Sequence, residues 1–362
     1  MPESLPLVES VSARLDALFA ERRPVLESLS PELGPVMDQL ITFTAGGKRT
    51  RARFLAAGAR MSPSAPDPEL GRAVVDAATA LELFHAAALV HDDILDRSDT
   101  RRGQLSTHRA FEALHQKQGW VGDADHFGLS AAILAGDLLL MWSDDLRLEA
   151  ASRVRTSRGQ RAIAEFSRMR TEVTAGQYLD VAAELSWQQI APQDRADRAI
   201  AIATSKSARY SVEAPLVIGA RLAGADDDLV EKIRAMGLPL GLAFQLRDDV
   251  ISVFGDERVT GKPSGDDLRE GKRTLIIAEV DQRADATTAA FFEQRLGAQD
   301  LHADEIIRMQ QAIRDCGALD AVETQIQQWL DEALTAMAAI DLDDTTREHF
   351  RKLATEAARR EQ

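Results

Sequence analysis

The 362-residue sequence predicts an all-α fold, and three observations carry that expectation. Hydrophobic residues make up 45% of the chain but aromatic ones only 5%, and Ala, Leu, Glu, Arg and Asp dominate, a composition that favours helices over sheets. Helical periodicity runs almost from end to end. Its interruptions, near Ser62 to Pro68, Gly119 to Asp125, Gln188 to Gln193, Gly224 to Asp227, Gly255 to Gly271 and Gly297 to His302, are polar or Pro/Gly punctuation rather than alternating strands. None is long enough for a clear interdomain linker. The expectation is one domain over residues 1–362, with residues 1–30 as an extra packing helix at its start.

Taken in order, Gly46-Gly47-Lys48-Arg49-Thr50-Arg51 opens a helix. The stretch from Val74 to Asp96 is apolar on nearly all sides, as a helix inside a bundle must be. The segment from Gly237 to Gly255 is similar, and both carry acids near the C-terminal end. The run from Thr345 to Arg360 reads as an ordinary amphipathic helix.

With 43 basic against 58 acidic side chains the formal net charge is -15, which repels nucleic acid unless the cations cluster on one face. Cys316 stands alone, so no internal disulfide framework is expected and a reducing compartment fits. The stretch MPESLPLVES lacks the basic and apolar regions of a signal peptide, and no run reaches the ~20 uninterrupted apolar residues of a membrane span. These features predict a cytoplasmic protein without stable membrane insertion.

In His91-Asp92-Asp93-Ile94-Leu95-Asp96 the first and last Asp are four residues apart, so their carboxylates share a helix face while Asp93 points elsewhere. Such a pair repels, by ~1 kcal/mol at 4 Å in water and ~4 kcal/mol at an effective dielectric of 20. The negative end of the helix dipole adds to the cost, so a positive partner is expected. Asp248-Asp249-Val250-Ile251-Ser252 repeats the pattern with Ser in the last place. If the two helices converge, their oxygens suit magnesium, which keeps waters and takes substrate phosphate as its remaining ligands. Solvated helix ends would explain one such cluster but poorly explain two on the most apolar helices.

The cations are local. The turn from Gly46 to Arg51 combines backbone amides, glycines and three cations at a helix N-terminus, which is an anion site. Arg101 and Arg102 follow the first acid cluster closely enough to reach a diphosphate shared with metals. Lys206 lies in a long helical stretch, and Lys262 and Lys272 flank a polar loop with Asp266 and Asp267. Any one of these alone reads most simply as a solvated surface cation. Together with paired acids in an acidic protein, they suit one metal-bound and one metal-free diphosphate.

These residues carry a resemblance. GGKRTR, FHAAALVHDDILDRSDTRRG, Gly136-Asp137, GQYLD at Gly176 to Asp180, SKSARY at Ser205 to Tyr210, and FQLRDDVISVFGD followed by GKPSGDDLREGKRT resemble the trans-polyprenyl diphosphate synthase family in order and approximate spacing. The resemblance implies a single large isoprenoid-synthase helical bundle with the two Asp-rich helices facing across a central cavity, usually as a homodimer. It implies that Asp92 and Asp96 bind two magnesium ions and Asp248 a third, all bridging the allylic diphosphate. Arg101, Lys206 and Lys262 would hold that diphosphate, with Lys272 beside them and Asp267 and Gln177 as metal-water or supporting partners. Gly47, Lys48, Arg51, His85 and Arg102 would bind isopentenyl diphosphate. Ser207, Tyr210, Gln245 and the Lys206 carbonyl resemble cation-stabilising groups. Two departures stand out: Ser252 replaces the last Asp of the second motif, and Ala52 stands where many members have Pro.

The chemistry such residues suit is ionisation of an allylic diphosphate, attack on the cation by isopentenyl diphosphate, and proton loss. Catalytic work would fall to Asp92, Asp96, Arg101, Lys206, Gln245, Asp248 and Lys262. No Ser-His-Asp or Cys-His set is evident, and none is needed. Ala88 and Ala87 lie about one turn beneath Asp92 and are small, whereas short-chain members carry a bulky aromatic there. Phe84 below them, with Met141 or Trp142, would then form the floor that sets product length, although Phe84 and Trp142 also read as simple core packing. A geranylgeranyl, twenty-carbon product is expected, with a longer chain as the close rival. A class I terpene cyclase and a non-catalytic partner subunit are the competing functions; GGKRTR, His85 and Arg102 argue against the first, and the retained Asp92, Asp96 and Asp248 against the second.

Overall fold

Pro6 leads directly into helix α1 (Leu7–Leu29), and from there the chain is helical with short breaks in a computed structural model that describes residues 6–62, 67–255 and 264–360. The helices that follow are α2 (Gly34–Thr44), α3 (Thr50–Met61), α4 (Pro68–Leu95), α5 (Thr107–Gln118), α6 (Ala124–Ser152), α7 (Thr156–Ser186), α8 (Arg195–Ala203), α9 (Ala214–Ala223) and α10 (Asp227–Phe254). Beyond them come α11 (Asp266–Glu270), α12 (Leu275–Arg283), α13 (Ala286–Arg295), α14 (Ala303–Asp315), α15 (Ala318–Met337) and α16 (Asp344–Arg359). The chain divides into two compact units, residues 1–166 with 215–226, and residues 167–214 with 227–362.

In the first unit α4 is the central element. Asp67 caps it by accepting from the Glu69 amide, and Pro68 occupies the first turn, where its missing N–H costs nothing. It packs against α1, α3, α5 and α6. From Asp76 to Val90 every residue is buried except His85, Ala88 and Leu89. Asp76 survives in this interior because it is paired twice, accepting from Arg14 Nε at 2.8 Å and Arg153 Nε at 2.5 Å. Ser143 Oγ of α6 donates to the Ala80 carbonyl at 2.7 Å, joining the two longest apolar helices of the unit.

Two local features depart from the helical expectation. Thr100–Arg101 and Gln104–Leu105 form a minimal antiparallel hairpin, β1 and β2. Its turn, Arg102-Gly103, has φ of 54° and 73°, the left-handed pair that a two-residue hairpin requires. In the second unit, Thr204–Glu213 is wound as a π-helix between α8 and α9. Glycines flank it: a Cβ on Gly176 of α7 would lie 2.4 Å from the Lys206 amide nitrogen, and one on Gly241 of α10 would lie 2.3 Å from the Ala208 carbonyl oxygen. Only hydrogen side chains let two helices approach the wide segment this closely.

The second unit is centred on α10, which packs against the π segment, α15 and α16. Arg247 of α10 donates to both Glu323 oxygens at 2.8 and 2.6 Å and to the Ala358 carbonyl at 3.0 Å, tying α15 and α16 to it. Among the described residues, two helices are long and apolar enough to cross a bilayer, α4 and α6. In α4, 72% of the apolar window is buried inside the fold, but in α6 only 28%.

Candidate active site

The first unit assembles an acid group and a cation group on α4 and its neighbours. His85, Ala88, Leu89, Asp92 and Asp96 fall at helical spacing on the accessible stripe of the helix. Asp96 closes α4, its amide donating to the Asp92 carbonyl at 2.8 Å, so the two acids stand one turn apart. Asp93, on another face, is fully buried and accepts from Arg101 Nε at 2.8 Å and from its Nη2. The hairpin makes this contact possible by turning the chain back on itself after Arg97, whose φ is 55°. Arg101 is thereby aimed by Asp93.

The turn before α3 supplies the cations. Gly46 and Gly47 have φ of 69° and 93°, and Arg49 is left-handed at 49°. Lys48 is exposed, Arg51 sits in the first turn of α3, and Arg49 is buried, donating to the Thr44 carbonyl at 2.7 Å and to Glu82 at 3.1 Å. A Cβ on Gly47 would stand 3.9 Å from both terminal nitrogens of Arg102, so that guanidinium lies over the turn. Burial, then the charges of Arg51, Arg102, Arg101 and Arg49, hold the His85 imidazole neutral, well below its ordinary range. Arg102 is also lowered, by burial first and then by Arg49. Such a crowd of cations around a neutral imidazole suits a polyanion.

In the second unit, Gln245, Asp248 and Ser252 share one accessible face of α10. Gln245 Nε2 donates to Asp249 at 2.7 Å. Burial above all, together with Asp248 and Asp180, pushes the Asp249 carboxyl up to about 7 against the opposing hydrogen bond from Gln245. Arg360 pairs with Asp248, and its guanidinium stacks 3.9 Å over the Phe244 ring. Lys206 of the π segment donates to Asp180 at 2.6 Å. Lys272, itself buried, lies 3.4 Å from Asp180 and 3.2 Å from Glu184. Gln177 precedes Asp180 by nearly one turn of α7. Ser207 is half-buried and Tyr210 buried on the π segment, and Asp267 lies in α11. Lys262 lies outside the described residues.

Among the described residues no group of three or more His, Cys, Asp or Glu side chains could hold a metal unaided. Pairs of hard carboxylate oxygens do fit magnesium, which fills most of its shell with water and phosphate. The proposed floor is only partly buried. Ala87 and Trp142 are packed in the core, Trp142 edge-on to Phe19 at 6.1 Å, and Phe84 is edge-on to Phe166 at 6.3 Å. Ala88, not Ala87, faces the accessible stripe. Met141 is 56% exposed, one residue round α6 from buried Trp142.

The family model for polyprenyl synthetase matches residues 32–314, which spans the cationic turn, both acid clusters and the π segment. The chain belongs to the polyprenyl synthetase family. A geranylgeranyl pyrophosphate synthase structure from Corynebacterium glutamicum, complexed with isoprenyl diphosphate and magnesium, is 34% identical, with 98% of each chain covered and a TM-score of 0.91. The geranylfarnesyl diphosphate synthase of Aeropyrum pernix is 31% identical over 83% of this chain and 86% of its own. The geranylgeranyl diphosphate synthase of Methanosarcina mazei is 31% identical over 90% and 88%. The helical-bundle fold of the isoprenoid synthases and the enzyme class, a trans-prenyltransferase, follow from this membership.

Sequence motifs did not disclose several partners. Glu82, Asp93 and Asp180 are buried acids, each paired with a cation. An acid inside an apolar run was the available signal, because a buried carboxylate needs a partner. Arg360 at the chain's far end carried no such signal.

Proposed function

We propose that this polyprenyl synthetase condenses isopentenyl diphosphate with an allylic diphosphate, geranyl or farnesyl, to give all-trans geranylgeranyl diphosphate. The observation that carries the reading is the pairing on α4 of an acid face at Asp92 and Asp96 with the Arg51, Arg102 and His85 group at the same helix. Asp92, Asp96 and Asp248 would hold magnesium, which when bound stabilises the charge on the departing diphosphate. Arg101, steadied by Asp93, Lys206, steadied by Asp180, and Lys262 bind the allylic diphosphate. Lys48, Arg51, His85 and Arg102 bind isopentenyl diphosphate without metal; the neutral imidazole can donate one hydrogen bond while the arginines supply charge. Gln245 and the π-segment backbone orient the allylic carbon chain.

Product length rests on Ala88. A methyl on the accessible stripe one turn below Asp92 leaves room that an aromatic would fill. A longer chain is the alternative, since relatives of similar identity are named for geranylgeranyl and for geranylfarnesyl products. Chromatographic sizing of the product from magnesium, isopentenyl diphosphate and farnesyl diphosphate decides it. One elongation per farnesyl group supports the proposal, and accumulation of twenty-five-carbon or longer chains contradicts it.

We also read the enzyme as a homodimer. Leu134, Met141 and Leu148, spaced by seven along α6, are 65%, 56% and 50% exposed. Asp137 and Asp145 remain accessible on the same helix, and carboxylates do not belong on a lipid-facing surface. A second copy of α6 suits such a mixed seam.

A further inference from the structure

The cationic turn is held by a residue that cannot itself reach solvent. Arg49 is 7% exposed, while Gly46, Gly47 and Lys48 just before it are exposed. Its backbone sits at φ 49°, ψ 44°, a left-handed conformation that a non-glycine residue keeps only when its surroundings enforce it. Enforcement comes from the guanidinium. One terminal nitrogen donates to the Thr44 carbonyl at the end of α2, and the other to Glu82 of α4. One side chain thus ties the end of α2, the start of α3 and the middle of α4 together.

Glu82 is equally buried, and it precedes His85 by three residues, nearly one helical turn. Around His85 stand Arg49, Arg51, Arg101 and Arg102, and Arg102 overlies Gly47. Glu82 therefore anchors the turn at the helix position next to the histidine that the turn's cations face. It also supplies negative charge to a strongly positive group, acting on Arg102 as well as on Arg49.

We propose that Glu82 and Arg49 are positioning residues for isopentenyl diphosphate: their buried ion pair holds the left-handed turn that aims Lys48 and Arg51, and it governs the binding of that substrate selectively. The inference rests on the functional reading above. Neither residue touches the substrate; each acts through the turn. The lever is geometric, because displacing oriented cations by ~1 Å costs on the order of a hundredfold in a site that relies on placement.

The test is calorimetric titration of isopentenyl diphosphate into wild-type enzyme, Glu82→Gln and Arg49→Lys, with KM for both substrates, kcat and melting temperature alongside. Glu82→Gln keeps the shape and loses the charge; Arg49→Lys keeps the charge and cannot span Thr44 and Glu82 together. The expected result in each is isopentenyl diphosphate binding weaker by about tenfold or more, with a matching rise in its KM. KM for the allylic diphosphate and kcat at saturation should stay within about twofold, and addition of isopentenyl diphosphate should raise the melting temperature less than in wild type. A purely structural role would depress both substrates and kcat together. Variants that bind isopentenyl diphosphate as wild type does, or that lose both substrates alike, overturn the inference alone. Wild-type enzyme that neither binds isopentenyl diphosphate nor elongates would overturn the functional reading and this inference with it.

Discussion

At the scale of single residues, burial separates the acids that hold a cation inside the fold from those that line the accessible stripe of α4. Asp93 and Asp180 are buried and hold Arg101 and Lys206, whereas Asp92 and Asp96 lie on the accessible stripe. Asp92→Asn should therefore lower kcat by at least about a hundredfold with little change in melting temperature, as measured by steady-state kinetics and calorimetry. Asp93→Asn removes the carboxylate charge that Arg101 meets in the interior, and should cost stability as well, on the order of 3–5 kcal/mol. His85 gives a pH prediction. Its folded-state pKa lies below the unfolded value, so the unfolded chain binds the extra proton first as pH falls through about 6.5. The stability tied to neutral His85 is present above that pH and is lost below it. Denaturant titrations at pH 7.5 and 5.5 should show wild type losing more stability than His85→Gln, by at most about 1.4 kcal/mol per pH unit.

The elements were legible to different degrees. Apolar runs and periodicity marked most of α4, α16 and the C-terminal part of α10, which begins ten residues earlier at Asp227; expected breaks fell at Ser62, Gly119 and Gly224, whereas the one from Gly255 to Gly271 lies partly outside the described residues and contains α11. Two short features did not. The hairpin at Thr100–Leu105 has only two residues per strand, too few for alternation to register, and only Arg102-Gly103 could have hinted at it. The π-helix at Thr204–Glu213 has the composition of an ordinary helix, and the close approach of Gly176 and Gly241 to it is a property of the fold. Gly241→Ala would drive a methyl into the Ala208 carbonyl and should cost about 1–3 kcal/mol, with a fall in allylic-substrate affinity because Lys206 rides on the same segment. Thermal melts and KM values check this. The proposed site residues that sit in motifs, such as Asp92, Lys48 and Arg102, could be named from the sequence. Those acting through a partner, such as Arg49 and Glu82, were not, since pairing across 33 positions is a property of the fold. Trp142 is buried while its neighbour Met141 is 56% exposed, a difference that one residue's rotation round α6 produces.

For the whole molecule, two properties depend on the assembled chain. Product length should respond to Ala88→Phe by shortening, because the substitution fills the accessible stripe; Trp142→Ala, in the core against Phe19, should chiefly destabilise, by about 3–5 kcal/mol. Product chromatography separates the two outcomes. Quaternary structure should respond to Leu134→Asp combined with Leu148→Asp by dissociating the proposed dimer in sedimentation experiments, since both place charge on the exposed face of α6. The most direct measurement is the stoichiometry of inorganic diphosphate release from farnesyl diphosphate. One diphosphate should be released for each isopentenyl unit joined, with release requiring both magnesium and isopentenyl diphosphate. Rapid release with magnesium alone, accompanied by a cyclic hydrocarbon, would contradict it.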